Sequence, residues 1–150
     1  MKITTYGNIE ILKLHKTAFL ASGTIPPDMV LRCYDWATDM RDKGECVISG
    51  FNSKLEQDVL HFLLKGNQPI ILVLARKMYK ILPAELQTAI DSNRLLIIST
   101  SQAPRQSRQT AFARNEYIAE LCDKICFVGV TEKSSLYPLT QRFSSKIINS

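Results

Sequence analysis

Hydrophobic residues along this chain gather into five short, unbroken runs. They read TAFLAS (17–22), CVISG (46–50), PIILVLA (69–75), LLIIS (95–99) and ICFVGV (125–130). Continuous runs rich in Ile, Val and Leu are the pattern of strands covered on both faces, as in parallel sheets. A further short strand is expected over residues 9–14. Between the runs the apolar positions switch to helical spacing. Residues 27–43 start after Pro26, carry Asp28 in the first turn, and place Val30, Cys33, Tyr34, Ala37 and Met40 or Arg41 on one stripe before Gly44. Residues 53–65 open with Ser53 and have Glu56 three positions on, the spacing of a capping box, with Leu55, Val59, Phe62 and Leu63 apolar and Gly66 closing. A third helix is expected over 83–92. A fourth runs from Ser107 or Thr110 to Cys122, with Ala113, Tyr117, Ile118 and Leu121 inward.

Strand and helix therefore alternate throughout. This predicts a three-layer, Rossmann-like doubly wound α/β fold, a mostly parallel sheet of five or six strands with helices on both faces. Repeats, low-complexity tracts and Pro/Gly-rich linkers are absent, so residues 1–150 read as one domain. In such folds ligands bind outside the carboxyl ends of the strands, at the switch point of strand order.

Composition narrows the classes. The chain has 150 residues, with 45% hydrophobic and 22% charged positions, ordinary globular values. No apolar run approaches the roughly 20 residues that span a bilayer, and MKITTYGNIEILK lacks the apolar stretch and small-residue site of a secretory leader. A cytoplasmic protein without membrane partners is expected. Four cysteines, at 33, 46, 122 and 126, form no CxxC pair and stand apart from His15 and His61. Buried reduced thiols are expected, and no metal.

Charge adds a direction. The net charge is +5, and all of it is carried between Arg76 and Arg114, which hold seven basic residues and two acidic ones. That concentration suggests an anionic partner.

The candidate site residues sit where the fold rule points. The first run ends in Ser22-Gly23-Thr24, and the second in Ser49-Gly50-Phe51-Asn52-Ser53-Lys54, opening a helix. Small residues at a strand-to-helix turn let backbone N–H groups approach a phosphate, and Lys54 adds a point charge. The third run leads into Arg76-Lys77. The fourth leads into SQAPRQSRQTAFARN, where Arg105, Arg108 and Arg114 lie within ten positions, beside Asn115. Guanidinium forks suit bidentate phosphate contact. No Ser/His/Asp arrangement, metal motif, GxGxxG or ATP P-loop can be assembled, so neither a catalytic set nor a cofactor is expected.

These motifs resemble the Rossmann-like domain of the DNA-processing protein A family (DprA/Smf), within the wider SLOG superfamily. In that family a strand enters an SGxxxGID turn, and a PRRNRIIAGLSD-like segment precedes the last core strand. Here Ser49-Gly50 is similar to the first and Arg114-Asn115-Glu116-Tyr117-Ile118-Ala119 to the second. SGFNSKLE (49–56), LARKM (74–78), NRLLIIST (93–100) and RQSRQTAFARN (105–115) resemble a short, stand-alone bacterial branch, over about residues 16–130. Lys54 stands where the family turn has its later Gly, and Glu56 where it has Asp. TEKSSLYP (131–138) replaces a Gly-Ser-rich loop. The PGGxGTxxE motif of the superfamily's lonely-guy phosphoribohydrolases is missing, and 150 residues leave no room for the extra domains of full-length members.

The resemblance implies binding of a phosphate-bearing ligand, either a nucleotide-like molecule or single-stranded DNA, without catalysis, and it makes a homodimer plausible. Two alternatives stay open. One is an enzyme acting on a nucleotide-derived substrate, for which Glu56 or Glu116 would have to point into the pocket. The other is a module whose arginines recognise an acidic protein partner.

Overall fold

The computed structural model describes residues 1–148. The chain runs β1 (Thr4–Gly7), a 3-10 turn (Ile9–Lys13), β2 (Lys16–Ala21), α1 (Pro27–Lys43), β3 (Cys46–Ser49), α2 (Lys54–Leu64), β4 (Ile70–Leu74), α3 (Ala84–Asp91), β5 (Leu95–Ser99), α4 (Arg108–Leu121), β6 (Lys124–Val128) and α5 (Tyr137–Arg142). A short 3-10 helix, Ser144–Lys146, follows. The six strands form one sheet in the order β1-β5-β4-β3-β2-β6, with β1 antiparallel to β5 and the other pairs parallel. This is the Rossmann-like α/β arrangement that the alternating pattern predicts.

The continuous apolar runs are explained by two cores. Phe19, Val47, Ile70, Leu72, Leu95 and Ile97 point to the side covered by α1, α2 and α3. Ala18, Leu20, Ile48, Ile71, Val73 and Leu96 point to the side covered by α4, α5 and the 3-10 turn. Neighbouring positions on a strand face opposite ways, so a strand buried on both sides must be apolar at every position. The four thiols are free and buried. Burial pushes Cys46 and Cys126 up to about 12 and Cys122 up to about 11, which keeps them protonated and unreactive near neutral pH.

Two expectations need correction. The strand expected over 9–14 is instead a 3-10 turn, because the Asn8 side chain accepts the Glu10 N–H (3.1 Å) and curls the chain, burying Ile11 alone. The strand lies earlier, at β1. Its end requires Gly7: φ is +109°, and a Cβ there would sit 2.3 Å from the Leu95 carbonyl oxygen. The inward stripe of α4 is Arg114, Ile118 and Ala119, whereas Ala113, Tyr117 and Leu121 are only half-buried. A buried arginine holds the position that an apolar-periodicity reading leaves out.

The remaining helices start and stop as their sequences dictate. Ser53 accepts the Glu56 N–H while Glu56 accepts the Ser53 N–H, completing the expected capping box of α2. Ser107 and Thr110 do the same for α4. Gly44 ends α1 in the left-handed conformation at φ +73°.

Candidate anion-binding cleft at the carboxyl ends of the strands

The connections after β4 and β5 leave for opposite faces, α3 to one side and α4 to the other. A cleft of about 490 Å³ opens beyond the carboxyl ends of β3 and β4, with Gln57, Asp58 and His61 of α2 along one side and Glu85 of α3 along the other. Gly50, Phe51 and Asn52 form one wall, and Ala75, Arg76 and Tyr79 another, with Gln106 and Arg114 reaching in from the α4 side.

Arg114 is the central side chain. Only 4% of it is exposed. Its Nε donates to Asn115 Oδ1 at 2.8 Å, and Nη1 makes two long contacts, to the Val73 carbonyl (3.4 Å) and to Gln106 Oε1 (3.5 Å). Among the described residues no carboxylate lies within 4.0 Å of it. Among the described residues Nη2 makes no hydrogen bond and is not fully enclosed, and the side chain lines the cleft. Burial holds the Arg114 pKa below the usual guanidinium value, opposed by the charge of Glu56.

Gly50 is what lets Arg114 lie there. A Cβ on Gly50 would stand 2.5 Å from the guanidinium carbon. The Ser-Gly turn and the Arg-Asn segment, 64 positions apart, are thus two halves of one feature. The next residue, Phe51, is held at φ +46°, a left-handed conformation rare for a bulky residue. Its N–H donates to Ser49 Oγ at 3.0 Å, so Ser49 braces the turn.

The remaining candidates divide among several places. Arg76 shares the cleft with Gly50 and Arg114, its guanidinium lying over the Tyr79 ring at 4.6 Å. Gly23, Ser53 and Lys54 line a separate cavity of about 300 Å³. There Lys54 Nζ is 2.7 Å from Asp58 Oδ1, which offsets its charge. The Ser53 N–H, expected to face a phosphate, is taken by Glu56. Ser22 Oγ donates to the Gly129 carbonyl. Arg105 and Arg108 are exposed and do not line the cleft, although Gln106 between them does, and Asn115 orients Arg114.

Both carboxylates that an enzyme reading requires are committed to structure. Glu56 is buried; Oε1 accepts the Asn52 and Ser53 N–H groups and Oε2 accepts the Ala21 N–H. Glu116 pairs with Arg142. Asp58, at the cleft's α2 wall, accepts the Tyr34 hydroxyl at 2.7 Å as well as Lys54. Among the described residues no three His, Cys, Asp or Glu side chains gather as a metal cluster would need, and no helix is long and apolar enough to cross a membrane.

Sequence reasoning missed Asp58, His61, Tyr79, Glu85 and Gln106 as cleft residues. Tyr79 follows Arg76 by three positions and Gln106 lies between Arg105 and Arg108, so proximity to the arginines was the available signal.

Comparison with known proteins gives the same fold. The chain aligns with DNA processing protein A from Helicobacter pylori, solved for its single-stranded DNA binding mode, with TM-score 0.75 and 17% identity over 97% of this chain and 69% of that one. For DNA processing protein A from Streptococcus pneumoniae the TM-score is 0.77 and the identity 18%, over 99% of this chain and 55% of that one. The chain therefore spans little more than half the length of the pneumococcal protein. A molybdenum cofactor carrier protein from Chlamydomonas reinhardtii aligns at TM-score 0.52 and 11% identity, over 79% of this chain and 64% of that one. No curated protein matches the sequence. The sequence pattern of one family, DNA recombination-mediator protein A, matches residues 1–138. Nearly the whole chain carries that pattern, and it therefore belongs to the DNA recombination-mediator protein A family.

Proposed function

We propose that this protein binds the phosphate backbone of single-stranded DNA in the cleft beyond β3 and β4, and that it does so without chemistry on the strand. The observation that carries this reading is Arg114. A guanidinium taken out of water without a carboxylate in contact is costly unless another anion meets it. Its side chain lines a cleft that Arg76 lines as well, and the exposed Arg105 and Arg108 flank the cleft residue Gln106 in sequence. The site suits a phosphate diester, whose oxygens match the guanidinium spacing. The Helicobacter relative's single-stranded DNA binding favours DNA over a mononucleotide.

The test is fluorescence anisotropy of a labelled single-stranded oligonucleotide, titrated with protein at several salt concentrations and repeated with a mononucleotide competitor. The expected result is oligonucleotide binding that weakens as salt rises, with displacement by mononucleotide only in large excess. Absence of binding at low salt would overturn the proposal. Full displacement by stoichiometric mononucleotide would replace it with a small-ligand site.

A further inference from the structure

A second groove, of about 290 Å³, adjoins the Arg114 cleft at Tyr79. Its walls are Tyr6, Met78, Lys80, Leu82 and Gln87, and Tyr79 is the one residue that lines both this groove and the cleft. Tyr79 belongs to the segment between β4 and α3, where residues 76–83 hold Arg76, Lys77 and Lys80 and no carboxylate. The segment is tied down rather than loose: the Lys77 N–H donates to the Ala103 carbonyl at 2.9 Å, and the Arg76 guanidinium packs on the tyrosine ring. Among the described residues, neither the Tyr79 nor the Tyr6 side chain makes a hydrogen bond. Tyr6 is 47% exposed on the edge strand β1.

From this we propose that Tyr79 is a base-stacking ridge, over which a single strand bound at Arg114 passes into the Tyr6–Lys80 groove. The inference rests on the phosphate-binding reading of the cleft and adds the path of the strand and the groups that meet its bases. A ring that packs on the core, lines two cavities and carries Arg76 over one face can track a single strand, with phosphates meeting charge and bases stacking on the Arg76–Tyr79 pair. Arg76 serves both, since a guanidinium plane stacks on rings and bonds phosphate. Paired bases cannot lie on a side-chain ring without leaving their duplex, so the ridge selects single strands.

The experiment compares two 12-mers carrying the same number of phosphates, oligo-dT and an abasic strand, against the wild type and the variants Tyr79→Leu, Tyr79→Phe and Tyr6→Leu. The wild type is expected to bind oligo-dT about tenfold more tightly than the abasic strand, the range of one stacked base. Tyr79→Leu is expected to remove that tenfold preference, so that oligo-dT and the abasic strand bind alike, whatever common change follows from taking the ring from beneath Arg76. Tyr79→Phe keeps the ring and should bind both strands like the wild type. Tyr6→Leu, at an exposed position that tolerates change, should weaken oligo-dT alone by about fivefold. The stacking ridge is overturned if Tyr79→Leu weakens both strands equally, if it weakens neither, or if the wild type does not distinguish the strands. In those cases the phosphate reading stands. Failure of the wild type to bind either strand at low salt removes the phosphate reading and the ridge together.

Discussion

At the scale of single residues, Arg114 opposes folding and favours binding. It loses hydration, gains one good hydrogen bond to Asn115 and two long ones, and has no carboxylate within 4.0 Å among the described residues, Glu56 acting on it only from farther off. Buried charges replaced by apolar groups of similar volume are often neutral or stabilising. Arg114→Met is therefore expected to keep or raise the thermal unfolding midpoint while lowering oligonucleotide affinity at least about tenfold, a single charge-assisted contact being about 1.5–3 kcal/mol. A fall in both would make the guanidinium a structural group. Gly50 supplies an internal control. Gly50→Ala pushes a methyl group into the guanidinium and should cost about 1–3 kcal/mol. Placed on the Arg114→Met background, the same change should cost much less, since the thioether chain can yield. A coupling energy near zero in that double-mutant cycle would separate the two residues.

At the scale of elements, the α2 N-terminus shows what was legible and what was not. The Ser53-to-Glu56 spacing reveals the capping box, because both partners lie within one turn. It does not reveal that Glu56 also accepts the Ala21 N–H, which joins α2 to the end of β2 across 35 positions. That contact depends on sheet order, and it leaves the Asn52 and Ser53 amides satisfied from within. The five parallel strands were readable because double burial demands unbroken apolar runs. β1 was not, since TTYG carries no such run and its place follows from pairing with β5. Another long-range link is Tyr34 to Asp58, between α1 and α2. The Lys54 ammonium, with the Tyr34 hydroxyl, holds the Asp58 carboxyl below its usual 3.8, against the opposing effect of burial. A depressed folded-state pKa contributes stability that is complete above about pH 4 and fades as pH falls through the folded value. Asp58→Asn should thus be less stable by about 0.5–1 kcal/mol at pH 7, and the gap should close as pH falls through the lowered folded-state value. Denaturant melts across that window check the sign, and a gap that widens in acid would refute the linkage.

At the scale of the whole molecule, the sheet converts a linear charge imbalance into a directed one. The seven basic residues between Arg76 and Arg114 are dispersed in sequence. Arg94 is spent on structure, donating to the carbonyls of Leu63, Leu64 and Gln68 and so tying the start of β5 to the end of α2. Arg76 and Arg114 line the cleft, and Arg105 and Arg108 stand exposed on the loop and helix start, flanking the cleft residue Gln106 in sequence. Exposed arginines act mainly through a field that salt screens within about 10 Å, whereas enclosed ones act by contact. The two pairs should therefore separate in a salt titration. If all four meet backbone, the log–log slope of affinity against salt is expected near −3, at about −0.7 per phosphate of a single strand. Arg105→Ala with Arg108→Ala should reduce the slope by about 1.4 and leave folding intact. Their effect on affinity should be largest at low salt and small at high salt. Arg114→Met should weaken binding at every salt concentration, because its contact is made out of water. Equal slopes in the loop double variant and the wild type would mean that Arg105 and Arg108 never meet the strand, and would confine the interface to the cleft itself.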